Sequence, residues 1–128
     1  MHFFADMPPQ LQQDVLENTL DEFDQGIPKL NAIVAAWMKG DQKTITRLIV
    51  DELRKPLPDL YRTLIVTRNE HWAESIAGML KGSGVRFIAV GAGHLAGPDS
   101  VQEKLSTRGI EVELVPAERA TGAASGQR

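Results

Sequence analysis

A chain of 128 residues that is 42% hydrophobic and 24% charged has the balance of one soluble domain, large enough for a single core and too small for two. Its net charge of −3, with lysines and arginines scattered, lacks the basic footprint of a nucleic-acid binder. The absence of cysteine excludes disulfides, thiolate metal sites and a cysteine nucleophile, and no apolar run nears the roughly 20 residues of a membrane span.

The opening MHFFADMPPQ has neither a basic n-region nor a long apolar stretch, so it does not read as a signal peptide. Pro8 and Pro9 suit the first turn of a helix in which Leu11, Val15, Leu16, Leu20 and Phe23 recur near a 3.6 period. A second stripe follows from Pro28, through Ile27, Leu30, Ile33, Val34, Trp37 and Met38. Gly40 then reads as a stop and Asp41 as the N-cap of a third helix carrying Ile45, Leu48, Ile49 and Leu53. The prolines of PLP at 56–58 break that helix. DLYRTLIVT is read as helical, and Thr67 with Glu70 forms a capping-box pair ahead of Trp72, Ile76, Met79 and Leu80, closed by Gly82 and Gly84. Trp37 and Trp72 are expected as core anchors.

After residue 84 the period changes. VRFIAV is apolar on both alternating faces, the pattern of a strand covered on both sides. Pro98 to Arg108 reads as a short helix with Gly109 as its stop, and Ile110, Val112 and Leu114 alternate with Glu111 and Glu113. The expected fold is therefore α/β. A helical region over 1–84 precedes a right-handed βαβ unit over 85–115, and a small polar tail over 116–128 frays. Two parallel strands do not make a stable sheet. The expectation is that a partner copy, or sequence missing upstream of residue 1, completes it.

In this frame GAGHL places His94 beside glycines at a strand end, where ligands of α/β proteins bind. A histidine there serves as a base, a metal ligand or a turn residue bonded to backbone. His2 and His71 make no HExxH-like pair with it.

Three segments together resemble one family: WMKGD at 37–41, LYRTLIVTRNEHWAESIAGML at 60–80 and FIAVGAGHLAGPDSVQEKLSTRGIEVELV at 87–115. They are similar to the C-terminal half of the TraB/GumN family, related to the Tiki proteases. The specific parts are the RN pair, Arg68 and Asn69, and the second of two GxxH motifs, Gly91 to His94. The resemblance implies a metal-dependent, peptidase-like hydrolase acting on a peptide or small molecule. It makes His94 catalytic and a ligand of a divalent ion such as zinc or manganese. Arg68 would then stabilise an oxyanion, Asn69 would orient a ligand, and Gly91 and Gly93 would contact substrate. The first GxxH and its nearby glutamate have no counterpart in residues 1–66. An isolated half would accordingly be inactive, since a catalytic zinc takes about three protein ligands. The family's envelope members leave an exported or periplasmic location open.

Two other readings stand beside this one. A non-catalytic assembly or regulatory module could keep the fold without the complete site. Alternatively GAGHLAG, with Glu111 and Glu113 about 20 residues on, mimics a dinucleotide fingerprint, although its acids alternate within a strand rather than ending one. For Arg68 and Asn69 the competing structural role is an ion pair and a helix N-cap.

Overall fold

Pro9 has a fixed φ and no N–H to satisfy, and it opens α1 (Pro9–Asp21) as its residue pair promises. The computed structural model describes residues 6–115. His2 and the tail assigned to 116–128 lie outside them. A 3₁₀ turn at Phe23–Gln25 leads into α2 (Gly26–Met38). Gly40 turns the chain at φ 65°, and Asp41 caps α3 (Gln42–Ile45), its carboxylate accepting from the Thr44 N–H at 3.0 Å. A π-helical stretch, Thr46–Asp51, and α4 (Glu52–Arg54) continue α3 without a break. Pro56 interrupts this run, and Pro58 starts the next. That next run comprises α5 (Pro58–Tyr61), a second π-helical stretch (Arg62–Val66) and α6 (Thr67–Met79).

The two long helical runs share a core of Ile45, Val50, Tyr61 and Ile65, closed by Ala36 of α2 and by Ala96. A second cluster, Met7, Leu57 and Leu60, is covered by Leu11 and Val15 of α1. The third joins Ala73 of α6 to Val101 and Leu105 of α7 (Val101–Ser106), with Trp72, Ile76 and Ile110 beside it. A 3₁₀ turn at Ala92–Leu95 links the first cluster to the third. Among the described residues no helix is long and apolar enough to cross a membrane.

The expected βαβ unit does not form: among the described residues there is no strand and no sheet. Residues 85–91 and 110–115 lie without regular structure on either side of the expected helix, which is shorter than its sequence limits. The double-faced apolar pattern of VRFIAV is left largely uncovered. Ile88, Ala89 and Val90 turn towards α6 across a cavity, whereas Val85 and Phe87 are 96% and 93% exposed. A strand needs a neighbour that offers backbone hydrogen bonds, and no described segment offers one to either stretch.

Three smaller expectations also change. Thr67 and Glu70 do not begin a helix, because Thr67 already sits in helical backbone nine residues after Pro58. Trp37 anchors no core: it is exposed. The stripe of α1 divides, with Leu11 and Val15 packed inward and Leu16, Leu20 and Phe23 exposed.

Candidate functional site

The site is assembled from one face of α6 along its length and the segment from Ile88 to His94. Successive helical turns put Arg68, Trp72, Ile76 and Met79 on one face of α6, and these side chains form one wall of a cavity of about 490 Å³. Ile88 to Gly91 and His94 form the facing wall. This volume lies within the usual range for small-molecule sites, roughly 300–1,000 Å³. Its lining is mostly apolar, with Arg68, Ser75 and His94 as the polar side chains.

The spacing of Gly91 and His94 has a direct structural meaning. The His94 N–H donates to the Gly91 carbonyl at 2.9 Å, so the four residues close one 3₁₀ turn. That turn packs closely on the first π-helical stretch. A Cβ on Gly93 would stand 2.9 Å from Cγ2 of Ile49, and one on Gly97, where φ is +79°, would stand 3.0 Å from Cγ1 of Val50. Gly93 and Gly97 thus permit close helix contact.

Asn69 fixes the imidazole. It is completely buried, and its amide nitrogen donates to the Asp99 carbonyl at 2.7 Å and to the His94 carbonyl at 3.4 Å. Both partners are pure acceptors, so the amide orientation is determined. Asn69 Oδ1 therefore faces His94 Nδ1, 2.8 Å away, and this nitrogen carries the proton. Nε2 is left with the lone pair. Burial first, and the nearby Arg68 cation second, lower the His94 pKa from its ordinary value of 6.5. The ring is neutral at pH 7. It also meets the edge of Trp72 with centroids 4.7 Å apart and planes at 61°, while the Arg68 guanidinium lies 5.1 Å from the centre of the Trp72 ring.

A family model, TraB/PrgY/gumN, matches residues 1–114. The chain belongs to the TraB/PrgY/gumN family. No curated protein and no solved structure gives a significant match. Residues 68–69 and 91–94, far apart in sequence, meet in this structure: Asn69 bonds to His94, and Arg68 shares its cavity. Asn69 is no N-cap, since it lies within continuous helix and its side chain bonds across to another segment. Arg68 stacks on Trp72. Gly91 is on the cavity wall, and Gly93 packs against Ile49. His71 is exposed on α6.

Several other side chains of this TraB-family chain gain roles that its sequence did not announce. The Tyr61 hydroxyl donates to the Asp99 carboxylate at 2.9 Å, and Lys104 reaches the same carboxylate at 3.1 Å. Glu70 is held by Arg108 and, at 3.7 Å, by Lys104. Burial works against the Asp99 anion, but Lys104 and Tyr61 together bring its pKa below 3.8. Burial and the Asp99 charge both push the Tyr61 hydroxyl far up. Asp99 and Glu70 consequently serve this network and do not converge on His94. Only the i, i+4 spacing of Arg68 and Trp72 hinted at the cavity wall.

These residues do not by themselves fit a catalytic metal. Among the described residues no group of three histidine or carboxylate side chains could hold an ion. The cavity wall contributes one such donor, His94, where about three are needed.

Proposed function

We propose that this TraB-family chain carries a hydrolytic, peptidase-like site in which His94 is the proton acceptor and Arg68 the anion stabiliser. The observation that supports it is the neutral imidazole held through Nδ1 by buried Asn69, at the wall of an apolar cavity that also holds a guanidinium. In that arrangement Nε2 takes a proton from water as the water oxygen attacks a substrate carbonyl. The guanidinium then stabilises the charge that develops on the carbonyl oxygen. Asn69 is a positioning residue: it keeps the proton on Nδ1 and so keeps Nε2 basic. The apolar lining of Trp72, Ile76 and Met79 favours an acyl or peptide substrate with a hydrophobic side group. Gly91 contributes backbone to the wall.

A zinc- or manganese-dependent variant of the reading would use His94 Nε2 as one ligand and would need the other donors from outside the described residues. The test is hydrolysis of chromogenic esters and peptides with hydrophobic acyl groups. It is run with the chain alone, with Zn²⁺ or Mn²⁺ and with a chelator. The expected result is turnover that falls roughly 10²- to 10⁴-fold in His94→Ala. No turnover in any arm, or an unchanged rate in His94→Ala, overturns the proposal. Stoichiometric metal that is lost in the same variant would favour the metal-dependent form.

The dinucleotide reading loses its structural basis, because no strand precedes the glycines, and Gly93 and Gly97 face Ile49 and Val50.

A further inference from the structure

From Leu16 to Trp37 the apolar residues follow a strict 4–3 alternation: Leu20, Ile27 and Val34 take one set of heptad positions (a), and Leu16, Phe23, Leu30 and Trp37 the other (d). A repeat of 3.5 residues held over three heptads describes a narrow coiled-coil seam, distinct from the broader stripe of a helix lying on a globular core. The structure turns this seam away from the body of the protein: all seven side chains are between 45% and 78% exposed. The opposite side is the attached one. Val15 and Ala36 pack inward, and Lys29 pairs with Glu22 at 2.9 Å and with Glu52 of α4.

The seam runs through α1, the 3₁₀ turn at Phe23–Gln25 and α2. Glu22, Gln25 and Gly26 all keep right-handed helical backbone, and the Lys29–Glu22 pair spans seven residues across the 3₁₀ turn. We propose that this α1–α2 seam is an interface that pairs with the same seam of a second copy of this chain, as a parallel two-stranded coiled coil. A regular 3.5 repeat is complementary to another of equal length, and the repeat is present in every copy. Ile27 and Val34 at a and Leu16 and Leu30 at d match the pattern that favours two parallel strands, whereas Leu20 at a and Phe23 and Trp37 at d add apolar area without that preference. The flanking positions do not oppose the pairing: in this register Thr19, Gly26 and Ile33 at g fall against positions 24, 31 and 38 at e of the other copy, which are Asp, Asn and Met, so no like charges face each other. A specific interface buries at least about 1,000 Å² in total, and the seven exposed side chains of each copy supply the apolar surface for it.

This inference is independent of the hydrolytic reading, and its test reads mass. Light scattering or sedimentation across the micromolar range should give twice the chain mass. Ile27→Glu combined with Val34→Glu should give the single-chain mass with unchanged far-ultraviolet helix signal. Ala32→Glu, exposed but off the seam, should leave the doubled mass intact. The chain has no cysteine, so Leu30→Cys under oxidation should link two copies through one residue. A single-chain mass throughout overturns the proposal, as does a double variant that still pairs or an Ala32→Glu variant that separates. Failure of Leu30→Cys to link overturns the parallel alignment.

Discussion

Asn69 is the residue on which the site depends, because one buried amide satisfies three groups at once. Its loss leaves the Asp99 carbonyl and His94 Nδ1 without partners and opens a void. Asn69→Ala should therefore cost on the order of 2–5 kcal/mol, read as a shifted denaturant midpoint. His94 gives a second prediction. Its folded pKa lies below the 6.5 of the unfolded chain, for burial first and Arg68 second. The unfolded chain therefore binds the proton more readily. This contribution to stability is complete above the unfolded value and is lost as pH falls through the folded one. Wild type should lose stability on mild acidification more steeply than His94→Gln, and imidazole chemical shifts should place the midpoint below 6.5. In Arg68→Gln that midpoint should move up, but only part of the way, since burial persists. An imidazole titrating at or above the ordinary value would contradict the geometry.

At the scale of elements, the turn at Ala92–Leu95 and the π-helical stretch at Thr46–Asp51 position each other. The fit is close enough that a methyl group is felt. Gly93→Ala drives a Cβ into Ile49 Cγ2 and should cost about 1–3 kcal/mol. Ile49→Ala removes the obstructing methyl, so the double variant should be less damaged than the two single effects combined, and a double-mutant cycle measures the difference. Additive losses would show that the two segments do not press on each other. Gly97 differs because its φ is positive: alanine there adds backbone strain of roughly 1–2 kcal/mol to the contact with Val50. Tyr61 ties α5 to the segment before α7 through Asp99, and Tyr61→Phe should cost about 0.5–1.5 kcal/mol in thermal or denaturant unfolding.

For the molecule as a whole, the balance between buried and exposed apolar groups is unusual. Core clusters join the two long helical runs, α7 and the inner face of α1, yet Phe23, Ile27, Trp37 and Phe87 are largely exposed. Exposed apolar patches on this scale mark interaction surfaces. The prediction at this scale is concentration-dependent association, suppressed by charge on the α1–α2 seam and not by charge on its other side. Raising the salt concentration should not dissolve it, because the seam is apolar.

Helix starts and stops were legible in the sequence wherever one residue type acts on its own backbone. Pro9 begins a helix, the prolines at 56–58 break one, Asp41 caps one, and Gly40 and Gly109 terminate others, because fixed φ, a reachable N–H and freedom at positive φ are local properties. The pairing of Asn69 with His94 was not legible as a contact. Their motifs stand 25 residues apart, and only the packing of α6 against the 3₁₀ turn brings the two side chains together. The same limit explains the strand that did not form: alternation in VRFIAV specifies which faces are apolar, but a sheet requires a second backbone edge, which no residue can supply for itself. Local chemistry thus determined the helix limits set by Pro9, Gly40, Asp41 and Gly109, but not the start of α6 or of α7. The tertiary structure alone decided which apolar faces were covered, which histidine nitrogen kept its lone pair and which seam was left outside.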